Sequence, residues 1–249
     1  MSNEPFGLQL AKGKVYESKT VNKFGFNSAV GTDSETIWEQ GGEYSYPASA
    51  STMTLSSANT NDAAAGTGAR TITIFGLDAD YNEVSETLTL NGQTAVNTSN
   101  SYLRINRGIV RSAGSGGENA GIIYVGTGTV TAGVPANKYL TLGAGNNQTL
   151  MCLWTVPADY TAYLLGFMST TGNDSATPSF LNVELVARPL GEVFQVKERY
   201  SLATGDHKQD FNVPLRFEEK TDLEVRAWSS SGSVTWDVSG QMEIVYVKN

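Results

Sequence analysis

Few side chains in this chain could take part in bond chemistry, and they are scattered. His207 is the single histidine and Cys152 the single cysteine. One histidine excludes multi-histidine zinc sites and leaves any nucleophile–base pair dependent on one imidazole. It stands in Gly205-Asp206-His207-Lys208, a polar run that reads as a surface loop, with no G-x-S-x-G elbow nearby. Cys152 lies within TLMCLWTV, where a thiol behaves as a small buried hydrophobe. Carboxylates can pair for glycoside hydrolysis, and Glu218, Glu219, Asp222 and Glu224 cluster. Adjacent residues on a strand point to opposite faces, so this cluster reads as structural or solvated. Asp78, Asp80 and Asn82 have the first three ligand spacings of a calcium loop. Glu83 replaces the glycine such a loop needs at its sixth position, and Thr89 the glutamate at its twelfth. The tip therefore reads first as a turn, with Asp78 and Asp80 as candidate binding residues. Trp228 shares strand parity with Asp222, Glu224 and Arg226, whereas Trp154 and Trp236 have the parity of core residues. The tryptophans read first as core or subunit-interface residues, and an indole among charged neighbours is also a candidate platform for a sugar ring. No catalytic residue, metal or cofactor is expected, and the chain reads as non-enzymatic.

The segments that carry these residues read as strands. Ile72 and Ile74 alternate with Thr71 and Thr73, and Val84, Leu88 and Leu90 alternate with Ser85, Thr87 and Thr89. A period of two sorts aliphatic and hydroxyl side chains onto opposite faces, and residues 78–82 between the runs are turn formers, which predicts a β-hairpin. Glu86 falls on the aliphatic face, so it must sit at a rim or meet a cation, with Arg70 and Arg104 as candidates. Residues 102–110 and 122–130 also read as strands, residues 112–121 as a glycine-rich loop, and residues 49–67 as a short strand followed by an exposed loop. The first residues read as an extended arm or edge strand, followed by a polar stretch in which Phe24, Phe26, Ile37 and Trp38 are isolated apolar points.

Texture changes near Gln148. Beyond it seven strand-like runs recur at the spacing of a sandwich or barrel, each with one apolar face, such as Leu223, Val225 and Ala227. The expected fold is all-β and mostly antiparallel with little or no helix. It divides into two sandwich or jelly-roll-like modules, residues 1–147 with the N-terminal arm and residues 148–249.

Composition bounds the partners. The formal charge is −8, with 17 basic against 25 acidic residues, which argues against a nucleic-acid groove. Arg104, Arg107 and Arg111 are the densest basic group, but Arg104 and Arg107 point to opposite faces of one strand. A single cysteine allows no internal disulfide. The start MSNEPFGLQL lacks the basic end and apolar core of a signal peptide, and the longest apolar stretch is far below the ~20 residues of a membrane helix. The expectation is synthesis in a host cytoplasm without export, and no membrane partner.

GARTITIFGLDADYNEVSETLTLNG, then YLRINRG and GSGGENAG, resembles a pattern of tailed-bacteriophage virion structural proteins. VPADYTAYLLGFMS, ARPLGEVF, PLRFEEKTDLEVRAWSSSG and VSGQMEIVYV resemble a jelly-roll-type module of phage structural proteins. The resemblance implies a virion component, most simply a capsid decoration or cement protein that contacts the major capsid protein or other virion proteins. A neck, tail or head-fibre component whose C-terminal jelly roll meets the host surface is the alternative, and a carbohydrate-binding module that recognises cell-surface glycan through Trp228 and exposed tyrosines is a separate one. Symmetric self-assembly, for instance as a trimer, is expected on general grounds.

Overall fold

The computed structural model describes residues 4–173 and 179–249. The chain divides into two compact units: Met1–Ile37 with Cys152–Asn249, and Trp38–Met151. The second junction lies close to the expected one near Gln148. The N-terminal residues, however, belong with the C-terminal half, so the division into 1–147 and 148–249 is corrected to an insertion of one unit into the other.

Along the chain, a short helix α1 (Phe6–Ala11) precedes β1 (Ser18–Val30) and β2 (Glu35–Thr36). The inserted unit contributes β3 (Ser51–Ser57), β4 (Ala69–Leu77), β5 (Glu83–Thr89), β6 (Val96–Tyr102), β7 (Arg104–Ala113), β8 (Ile123–Thr131) and β9 (Val134–Leu142). The outer unit resumes with β10 (Leu153–Thr155), β11 (Tyr160–Gly172), β12 (Leu181–Arg188) and β13 (Gln195–Leu202). It ends with β14 (Gly205–Phe217), β15 (Asp222–Ser229) and β16 (Trp236–Lys248). The fold is all-β, and every ladder among the described residues is antiparallel.

The outer unit is a jelly roll. One sheet runs β1-β16-β11-β14 and the other β10-β15-β12-β13, with β2 also paired to β15. With β2 and β10 counted as one strand, the eight strands in chain order lie as 1-8-3-6 and 2-7-4-5, the double Greek key of jelly rolls. That count is justified by register. Glu35 and Thr36 face Ala227 and Arg226, and Leu153, Trp154 and Thr155 face Glu224, Leu223 and Asp222. Between them, Val225 accepts at its carbonyl from Ile37 N (2.9 Å) and donates its amide to Cys152 O (3.0 Å), while Cys152 N donates to Ile37 O (2.8 Å). The insertion thus leaves and re-enters at one register position of an edge strand. Gly25 of β1 crosses this seam, where a Cβ would stand 2.2 Å from Ile37 O and 2.4 Å from Cys152 N. Val183, Leu185, Leu223, Val225, Ala162, Leu164, Phe167, Trp236, Met242 and Ile244 fill the core between the two sheets.

Three elements here differ from the sequence reading. The opening residues, expected as an extended arm or edge strand, carry the helix α1 (Phe6–Ala11). The polar stretch with isolated phenylalanines is β1, whose inward positions are Val21, Lys23, Gly25, Asn27 and Val30. A lysine, a glycine and an asparagine facing inward erase the alternation that would announce a strand. The run around His207 is also a strand, β14, rather than a loop.

The inserted unit is a smaller sandwich, with sheets β6-β3-β8-β9 and β5-β4-β7. Met53, Leu55, Ile72, Ile74, Tyr102, Ile105, Ile123, Val125, Leu140 and Leu142 form its core. The expected hairpin is β4–β5, with Ile72 opposite Leu88 and Ile74 opposite Glu86.

Candidate functional site

The site-bearing surface is the outer face of the jelly-roll sheet that contains β15. Leu223, Val225 and Ala227 point into the core. Asp222, Glu224, Arg226 and Trp228 therefore point outward, since side chains alternate along a strand. On neighbouring β12, Arg188 pairs in register with Asp222, Glu184 with Arg226, and Asn182 with Trp228. On β13, Arg199 faces Glu184 and Ser201 faces Asn182.

These groups satisfy one another. Arg188 donates from Nε (3.1 Å) and Nη2 (2.6 Å) to Asp222 Oδ2, and Thr155 Oγ1 donates to Asp222 Oδ1 (2.6 Å). Arg226 donates through Nε to Glu224 Oε1 (3.0 Å) and through Nη2 to Oε2 (3.3 Å), and the Thr36 hydroxyl adds a further bond to Glu224. The Phe194 ring lies 4.5 Å from both the Arg188 and the Arg226 guanidinium. Both carboxylates are buried and committed to arginines. Such fork-to-carboxylate pairs hold geometry, and a carboxylate that accepts two or three bonds is a poor proton shuttle. Of the structural or solvated role expected for these acids, Asp222 and Glu224 take the structural one: parity puts both on one face, and the arginines that meet them come from β12 and β15. Trp228 lies at the end of this ladder, with the Arg199 guanidinium 4.8 Å from its ring, and Arg199 Nη1 reaches Glu184 Oε1 at 3.4 Å.

The other sequence candidates lie on other elements. At the β4–β5 tip, Asp78 Oδ1 accepts from the amides of Asp80 and Asn82, both at 2.9 Å, and Oδ2 from Asn82 Nδ2 at 3.2 Å. Those bonds make an Asx turn, so the Asp78 oxygens serve the tip itself. Among the described residues, no group of three or more His, Cys, Asp or Glu side chains is placed to hold a metal ion. His207 stacks on Tyr200, ring centroids 3.9 Å apart, and faces Ser169 across the ladder. Burial raises the Tyr200 phenol well above its ordinary range, with the neighbouring Ser169 hydroxyl opposing the shift. Cys152 is fully buried, and burial pushes its thiol up to about 12, with Lys23 lowering and Glu224 raising it.

In the inserted unit, Glu86 meets no arginine of the kind expected. It accepts from the Ser99 amide (2.9 Å), the Asn100 amide (3.2 Å) and the Tyr102 hydroxyl (3.0 Å). Backbone amides from the segment after the hairpin supply what a cation was expected to supply. Arg104 is buried between Tyr46 (5.0 Å) and Tyr81 (5.6 Å) and donates to the carbonyls of Pro47 and Leu103. Arg111 instead lies over Phe75 and donates to Thr73, so the basic trio forms no patch.

Sequence reasoning missed Asp62. It is fully buried in the loop expected to be exposed, and accepts from Ser57 Oγ (2.6 Å) and the amides of Ala69 (2.7 Å), Ala120 (2.8 Å) and Gly121 (2.9 Å). The available signal was a lone acid in a run of small residues whose amides lack strand partners.

The chain matches no protein-family model and no curated protein. Among solved structures it is similar to three of infectious bursal disease virus. The Gx strain is 9% identical with a TM-score of 0.25, covering 99% of this chain and 77% of that one. The Gt strain and the VP2 subviral particle are each 10% identical with a TM-score of 0.25, covering 98% of this chain and 78% of theirs.

Proposed function

We propose that this chain is a non-enzymatic virion structural protein, a capsid decoration or cement component of a tailed bacteriophage. The carrying observation is where apolar surface is left in the open. Among the described residues, every exposed large hydrophobic side chain except Ile122 belongs to the jelly-roll unit. Val213 is 81% exposed and Val193 75%, and Phe6, Leu8, Tyr16, Leu190 and Val196 add to them. Exposed apolar side chains gathered on one unit offer surface for contact with other proteins. The jelly-roll unit then docks on the shell or on further copies of this chain, and the inserted unit keeps a polar surface. Individually weak contacts repeated over a lattice sum to stable attachment. The resemblance of both halves to phage structural proteins supports the same reading.

Electron microscopy of purified particles carrying a tagged copy tests this. A decoration protein labels the whole shell at high copy number, and Val193→Asp with Val213→Asp strips it from the shell. A label confined to one vertex refutes the decoration role in favour of a neck or tail position, and absence from the particle refutes the reading entirely.

A further inference from the structure

We propose that the Trp228 end of the outer jelly-roll face is a binding site for an uncharged saccharide. Three rows of side chains cross the sheet there. Trp228, Asn182 and Ser201 form one row, and Arg226, Glu184 and Arg199 form the next. Beyond Trp228 the register continues to Phe180 and Ser230, joined by Ser230 N to Phe180 O (2.8 Å) and Phe180 N to Ser230 Oγ (2.8 Å). Leu181 is in the core, so Phe180 lies outward, and it is 56% exposed.

This gives two aromatic side chains one row apart, with a carboxamide and a hydroxyl beside the indole. Strands are about 4.8 Å apart, so the three-strand row spans roughly 10 Å, about the length of a disaccharide. Ring faces take the C–H faces of pyranoses, and planar polar side chains take their hydroxyls. Ser201 Oγ donates to Asn182 Oδ1 (2.7 Å), which turns the Asn182 Nδ2 donors and the Ser201 lone pairs toward a ligand. Charge selects against anions. Arg199 is paired with Glu184 and Arg226 with Glu224, so the rows hold no spare cation for a phosphate or uronic acid. Arg199 also covers one face of the indole from a side chain that is 55% exposed, which makes it a movable cover over the platform.

The test is isothermal titration and tryptophan fluorescence of the full chain with maltohexaose, cellohexaose and chitohexaose, backed by an array of bacterial surface glycans. At least one neutral saccharide should bind, with Trp228→Ala weakening it by about tenfold or more and Phe180→Ala by less. Arg199→Ala should bind as well as the parent or more tightly. Trp228 is outside the core cluster, so its variant should keep the parent melting temperature. Absence of binding to every neutral probe, preference for anionic glycans, or binding indifferent to both Trp228→Ala and Phe180→Ala would overturn the proposal. Particle attachment of the Trp228→Ala variant is a separate readout, so loss of saccharide binding and failure of the assembly reading can be told apart.

Discussion

Replacing Asp62 by alanine should destabilise both units, although the residue touches only one of them. The direct effect is local. The substitution strands three backbone amides and the Ser57 hydroxyl, all of which now point at a buried carboxylate. Each buried donor left unsatisfied costs about 1–3 kcal/mol, so the group together removes a large share of the 5–15 kcal/mol that holds a domain of this size. The indirect effect comes from topology. While the inserted unit is folded, its ends are held together by the bridge between Trp38 and Met151, and Ile37 and Cys152 meet across Val225 at almost no entropic cost. Once it unfolds, the same edge strand must close a flexible loop of roughly 110 residues, which costs about 4 kcal/mol. Hydrogen exchange read by mass spectrometry separates the two effects. In mild urea the Asp62→Ala protein should lose protection throughout β3–β9, and the amides of β12 and β15 should lose protection by roughly several hundredfold. A variant with residues 38–151 replaced by a short Gly-Ser linker should keep the protection of β12 and β15. If β3–β9 exchange freely while β12 and β15 stay fully protected, the insertion does not interrupt a strand that matters to the jelly roll. If β3–β9 stay protected, Asp62 is not the anchor inferred here.

Three further outcomes are expected. The Cys152 thiol, buried and pushed up to about 12, should resist Ellman's reagent in the native protein at mildly alkaline pH and react stoichiometrically in concentrated urea; fast native labelling would contradict its burial. Burial raises the Glu39 carboxyl above the usual range despite bonds from the Gly143 and Leu150 amides and Asn146. Its contribution to stability is therefore fully present below the ordinary carboxylate pKa and is lost as pH rises through the raised value. Glu39→Gln should remove that decline, so urea midpoints of the variant should gain on the parent from pH 4 to 7. Gly25→Ala would drive a methyl group into the backbone of Ile37 and Cys152 and should cost the jelly-roll unit about 3 kcal/mol; an unchanged urea midpoint would contradict the close crossing.

How legible each element was depended on whether burial follows side-chain polarity. The β4–β5 hairpin was plain because Ile72, Ile74, Val84 and Leu88 alternate with hydroxyls and a turn separates them. Strand β6, VNTSNSY, was invisible because its buried positions are Thr98 and Tyr102. In β14 a break in pairing between Leu164 and Gly166 leaves residues 211–214 bulged, with Pro214 among them, so its alternation fails midway. The runs at residues 233–240 and 242–249 read as two strands and form one, β16, in which Gly240 lets Cys152 and Val225 pack close. Trp228 could be placed on the polar face by parity alone. That Arg199 covers it could not, since the pairing of β13 to β12 is a tertiary fact.

The insertion explains why the N-terminal boundary was unreadable. A composition shift marks a domain boundary when the chain crosses between textures. Near Ile37 it passes instead from a two-residue strand into a polar, glycine-bearing segment that resembles what came before. The junction is stable for a reason particular to edge strands. An edge strand has a ladder on one side only, so splitting it puts at risk only the bonds to β15. Val225 keeps its amide bond with Cys152 and its carbonyl bond with Ile37, and the gap itself is closed by Cys152 N on Ile37 O. No hydrogen bond is lost, and the backbone polar groups of the break remain paired, as buried groups must. A break in central β16, which has ladders to both β1 and β11, would have to preserve twice as many. A jelly roll can therefore accept a second sandwich at this edge at little cost, while β13 and β14, the edges at the other side, carry the exposed Val196 and Val213.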